Sequence, residues 1–137
     1  MVDAYIVSNL QESLGLTDQQ FVKLLPLVKR LQNDRRAFVQ KRQRALAALR
    51  GLLQSGAATE ARVADLLREL RAVEAEEPAL LRKDLEAIDA ELSPLQQAKY
   101  RVLEVEVQRR LQELMNQVRR QNRPQDRPRR EPLEPAR

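Results

Sequence analysis

Apolar residues recur along most of this chain at helical spacing and fall into four runs. The first, Val2, Tyr5, Ile6, Val7, Leu10 and Leu14, suits a short amphipathic helix ending near Gly15. The second runs from Phe21 through Leu24/Leu25, Val28, Leu31, Phe38, Leu46, Leu49 and Leu53. It is nearly a heptad, interrupted where Arg35 and Arg42 fall in line, and predicts one helix of about 37 residues, about 55 Å long. Pro26 lies in its third turn and predicts a bend, and Gly56 is placed for a left-handed cap at its end. The third run starts near Thr59 and passes through Val63, Leu66/Leu67, Leu70, Val73, Leu80/Leu81, Leu85, Ile88 and Leu92. Pro78 leaves open whether that segment is one kinked helix or two. The fourth, from Ser93 to about Gln121, uses Tyr100, Leu103, Val107, Leu111, Leu114 and Val118. The expected fold is therefore all-α, one helical domain over residues 1–121, followed at 122–137 by a disordered tail in which four prolines preclude a helix.

Two of these helices begin with the same device. In Leu16-Thr17-Asp18-Gln19-Gln20-Phe21, the Thr17 hydroxyl can accept from the Gln20 N–H while the Gln20 side chain accepts from the Thr17 N–H. Leu16 and Phe21 stand at the two positions of a hydrophobic staple. In Leu92-Ser93-Pro94-Leu95-Gln96, Ser93 is the cap, Pro94 takes the first helical position and Gln96 closes the box.

Composition adds restrictions. Cys, His and Trp are all absent. That excludes Cys–His and Ser–His–Asp catalysis and any zinc site built on histidine or thiolate, and there is no glycine-rich phosphate loop. No enzymatic activity and no cofactor are expected. Glu74, Glu77 and Asp84, or Glu86 with Asp89, can share a helix face; solvated or ion-paired carboxylates are the expectation there, with weak cation binding as the alternative. So few aromatic residues leave a thin aliphatic core, and helices this long in a short chain call for partners.

The formal charge of +5 is unevenly placed. Residues 119–137 carry a net of +4. Residues 29–50 hold eight basic groups against Asp34, whereas residues 74–91 hold seven acids against Arg82 and Lys83. If the second and third helices form a hairpin about residues 55–58, Arg35/Arg36 meet Glu76/Glu77. Arg side chains can cover apolar surface with their stems while keeping their charges wet. Arg35, Arg36, Phe38, Arg42 and Leu46 are accordingly the candidate partner-binding surface, with a buried dimer seam as the competing reading. No apolar run approaches the length of a membrane span, and Met1–Tyr5 shows neither a basic n-region nor an apolar h-region. The chain is then either cytoplasmic or a mature fragment.

The two caps carry a resemblance as well. Leu16-Thr17-Asp18-Gln19-Gln20 resembles the Leu-Thr-x-x-Gln signature of the Spy/CpxP family of periplasmic stress proteins, and Leu92-Ser93-Pro94-Leu95-Gln96 looks like its second copy with Ser for Thr. The resemblance covers about residues 4–118. It implies a four-helix protomer with a short first helix and a long hairpin, two protomers forming a curved antiparallel cradle, and a periplasmic location. It implies an ATP-independent chaperone or an inhibitor of an envelope-stress sensor, with unfolded clients or a sensor protein as partners. Leu16, Thr17, Gln20, Leu92, Ser93 and Gln96 carry over as structural motif residues. The metal-sensing branch of that family uses histidines, which this chain lacks, so no metal is expected.

Two alternatives stand beside the chaperone or adaptor: a structural or regulatory module for one folded partner, and a nucleic-acid binder using the basic helix and tail. No helix-turn-helix spacing or paired RNA-stacking aromatics accompany the latter. If the caps are structural, Thr17→Ala lowers the unfolding free energy by about 1 kcal/mol and leaves binding at the remaining folded fraction unchanged. Urea denaturation alongside a binding titration checks this.

Overall fold

The structure is a computed structural model that describes residues 2–123; the expected tail falls outside the described residues from 124 onward. Four helices follow one another: α1 (Val2–Leu14), α2 (Asp18–Ser55), α3 (Glu60–Ala90) and α4 (Pro94–Gln121). All four sequence-predicted segments are helical to within two residues of their expected ends. Pro78 lies inside α3 without dividing it, and Pro26 lies inside α2. Gly56 takes the left-handed conformation (φ 70°) that stops α2, and Thr59 caps α3 by accepting from the Arg62 N–H.

Helices α2 and α3 form a long antiparallel hairpin, α2 alone running about 57 Å. The short α1 lies at the open end, packed mainly on α4 and less extensively on α2. The core is concentrated there: Ile6, Leu10 and Leu14 of α1, Leu24, Val28 and Leu31 of α2, Ile88 of α3, and Tyr100 and Leu103 of α4 form one buried cluster with Leu16 and Leu92. Toward the hairpin tip the packing thins. Beyond Arg36, the buried residues of α2 are Phe38 and Ala45, opposed by Val73 of α3. Two helices side by side leave each with most of its circumference in solvent, which is why most apolar positions of the distal seam are only half-buried.

Ion pairs tie α1 and α4 onto this frame, and they correct the expected hairpin pairing. Arg35 reaches Glu104 of α4 through two parallel bonds of 2.9 and 3.0 Å, and Arg36 reaches Asp3 of α1 at 2.7 Å. Glu77 is taken by Arg42 instead. The register explains the difference: residues facing one another across the hairpin sum to about 119, so residue 77 lies level with Arg42, about 1.7 turns nearer the tip than Arg36. The expected pairing of Arg35/Arg36 with Glu76/Glu77 does not form. Gln32, buried, donates to the Asp3 carbonyl at 3.1 Å and marks where α1 begins along α2.

Because α1 has only 13 residues and no other helix joins α4 so extensively to the frame, its few buried side chains have an outsized effect. Leu10→Ala, at a fully buried position, lowers the unfolding free energy by about 2–5 kcal/mol. It also releases α4 before the hairpin, which hydrogen exchange resolved by helix reads directly.

Candidate functional site

Both caps form as their residues dictate. Thr17 and Ser93 are extended (φ −68° and −69°), their hydroxyls accept from the N–H of Gln20 and Gln96 at 3.1 and 3.2 Å, and each Gln Oε1 accepts from the cap N–H at 3.1 Å. The turns entering them have no spare residue. Gly15 (φ 64°) ends α1 in a Schellman arrangement, with Leu16 N–H donating to the Gln11 carbonyl at 3.0 Å and Gly15 N–H to that of Glu12 at 3.3 Å. Leu16 therefore closes α1 and, buried, begins the staple of α2. Gln11 bonds Asp18 across the first turn at 2.7 Å. Across the α3–α4 turn, Gln97 donates to the carbonyls of Asp89 and Leu92, and Arg101 grips Asp89 bidentately at 2.9 and 2.7 Å.

The structure brings the two boxes together. Each Gln turns its Oε1 toward its own cap, which leaves its Nε2 facing the other box. Gln20 Nε2 donates to Gln96 Oε1 at 3.3 Å, and Gln96 Nε2 donates to Gln20 Oε1 at 3.4 Å. The starts of α2 and α4, 76 residues apart, are joined by a cyclic amide pair. Leu16 and Leu92 enter the same core beside it. All six motif residues thus cluster at one place, and that place is internal scaffolding rather than an open cleft.

Beneath Arg35 and Glu104 lies Tyr100, with no exposed surface and no hydrogen-bond partner for its hydroxyl among the described residues. Burial, and then the Glu104 charge, push its pKa upward, so it stays neutral. Among the described residues no group of three or more acidic side chains could hold a metal ion. Of the acidic residues that share faces in the sequence, Glu77 and Asp89 pair with arginines, and Asp84 is buried in the α2–α3 seam.

The candidate binding residues separate. Arg35, Arg36 and Arg42 are engaged in ion pairs, and Phe38 is buried in the seam with Lys41 over its ring at 5.4 Å. Leu46 is exposed, at 46 %. It belongs to a stripe that seam spacing alone did not isolate: Val39, Leu46 and Leu53, seven residues apart and all exposed. A heptad count offset by one position from the core seam would have found it. On the hairpin's side, Lys41, Arg44 and Glu69 rim a shallow groove floored by Ala45, Ala48 and Val73, and a second hollow nearer the tip lies among Gly51, Leu52, Arg62, Asp65 and Leu66. Helix α4 carries a second exposed apolar set, Val102, Val105, Leu114, Met115 and Val118, with a groove between Tyr5, Val107, Leu111 and Leu114. No protein-family model matches the chain, and neither a curated protein nor a solved structure is detectably similar to it.

The amide pair makes the two caps energetically dependent on each other. In a double-mutant cycle of Gln20→Leu and Gln96→Leu, read by urea unfolding, the two effects are non-additive by about 0.5–3 kcal/mol. Additive losses would mean that each box acts alone.

Proposed function

We propose that this chain is an ATP-independent, chaperone-like or envelope-stress adaptor protein that holds unfolded segments or a partner protein on a mixed apolar and basic helical surface. The observation that carries this is the distal α2–α3 hairpin: two helices thick, with Val39, Leu46 and Leu53 exposed on one flank of α2 next to Arg50, and Lys41 and Arg44 exposed on its other flank over Ala45 and Ala48. Apolar side chains separated by cations suit partly unfolded chains, which offer scattered apolar residues and backbone but no fixed shape. Long Lys and Arg stems extend the apolar area and their charges keep the empty surface soluble. The proposed role is binding without catalysis. The paired boxes supply the rigid base from which the hairpin projects.

The exposed apolar set on α4 supports a homodimer, in which a second copy covers α4 and the protomers form the curved antiparallel cradle implied by the sequence resemblance. The proposed location is the periplasm. Among the described residues no helix is long and apolar enough to cross a membrane. Nucleic-acid binding is less well supported, because Arg35, Arg36 and Arg42 spend their charge on internal acids. A module for one folded partner uses the same surface and differs in its selectivity.

The expected result is that the protein, at substoichiometric to equimolar ratio and without ATP, suppresses light scattering from several unrelated unfolding clients. Leu46→Glu weakens that effect severalfold while changing stability by less than about 0.5 kcal/mol. Absence of suppression across all clients by a folded protein would refute the chaperone reading, and stoichiometric capture of one folded partner would replace it with the adaptor.

A further inference from the structure

The α2–α3 seam contains an unpaired acid. Asp84 is 6 % exposed, and among the described residues no donor reaches its Oδ2. The hairpin register that sets Arg42 level with Glu77 brings a second carboxyl, Asp34 of α2, about opposite it, and Asp34 acts on Asp84 directly. Two carboxylates offer only acceptors to each other, so a hydrogen bond between them requires a proton on one. The cations acting on Asp84 are Arg30 on α2 and Lys83 on its own helix; both are exposed and neither forms an ion pair with it.

The position of this pair is particular. Asp34 lies between Gln32 and Arg36, the two residues that hold the start of α1. On one side of the pair stands the buried cluster with Leu31 and Ile88; on the other the hairpin continues as two helices alone. We propose that Asp34 and Asp84 are a proton-operated latch at the root of the distal hairpin, closed by a shared proton and loosened when Asp84 loses it.

Burial is the main cause that raises the Asp84 pKa from its ordinary 3.8 to about 6, and Asp34 raises it further through the shared hydrogen bond and its charge. The folded chain therefore holds this proton more tightly than the unfolded chain. The latch is at full strength below about pH 4 and is lost as pH rises through about 6. A compartment that moves between pH 5 and 7.5 would thus change the freedom of the hairpin proposed above to carry clients, although the latch stands whether or not clients bind there.

Carboxyl-carbon NMR of the full chain tests the latch without any client. Asp84 is expected to titrate near pH 6, and Asp34→Asn to move that midpoint downward by removing the opposing charge and supplying a donor. Asp84→Asn keeps the shape and provides a permanent donor to Asp34. It should match the parent in urea midpoint near about pH 4.5 and exceed it near about pH 7.5, with an unfolding equilibrium constant at least about tenfold smaller. Titration of Asp84 near 4, or a midpoint untouched by Asp34→Asn, would overturn the proposal. So would an Asp84→Asn stability difference that does not grow with pH.

Discussion

The fold depends on two side-chain amides meeting at the root of two helices. Gln20 and Gln96 each have one oxygen committed to a local cap, and the direction of that commitment leaves their nitrogens aimed at each other. A hydrogen bond of this kind contributes only about 1 kcal/mol on its own. Its effect is larger in position than in strength. Helices α2 and α4 are not extensively packed on each other; α1 and the shared core bridge them, and the amide pair, with Arg35–Glu104 further along, fixes their starts side by side. The shared core of Leu16 and Leu92 then fills the space between the two starts.

From that root outward, the molecule passes from a multi-helix core to a two-helix hairpin, and its chemistry changes with thickness. Where α1, α2 and α4 meet, charges are paired: Arg35 with Glu104 over the neutral Tyr100 and, at the surface, Arg36 with Asp3. Past Phe38 the cations Lys41 and Arg44 face solvent on one flank of α2, and uncovered Val39 and Leu46, with Arg50, on the other. The Asp34–Asp84 pair stands at the transition. Burial is concentrated at the base, and the arm keeps apolar side chains in solvent on a two-helix frame, where local stability is expected to be lower.

Much of this was legible in the residues. The helix boundaries followed from Gly15, Gly56, Thr17, Thr59 and Ser93, because caps are local devices that bond within one turn. Both boxes formed as their spacing required. What the sequence did not disclose was which distant partners would meet. The facing of Gln20 and Gln96 depends on the path of α3 between them, and the exchange of Glu77 for Glu104 and Asp3 as partners of Arg35 and Arg36 depends on hairpin register and on where α1 lies. Phe38 illustrates the same limit. It stands in a stretch bounded by Arg35/Arg36 and Lys41/Arg42, yet it is buried while Leu46 stays exposed. Asp84 looked like one more surface acid in an acidic stretch; only the tertiary pairing set it opposite Asp34.

The connections between helices have a further consequence for how such a chain can change in length. Between α1 and α2 stand Gly15, Leu16 and Thr17, and each is occupied: one by a left-handed turn, one by the core, one by a cap. Glu91, Leu92 and Ser93 are comparably committed between α3 and α4. A single inserted residue at either turn would rotate the following helix by about 100° against its neighbour and carry its apolar face away from the core. The stretch at 56–59 has no buried residue, so it tolerates insertion. Lengthening of the arm therefore has one open route: whole heptads added in matched pairs to α2 and α3, with the base unaltered.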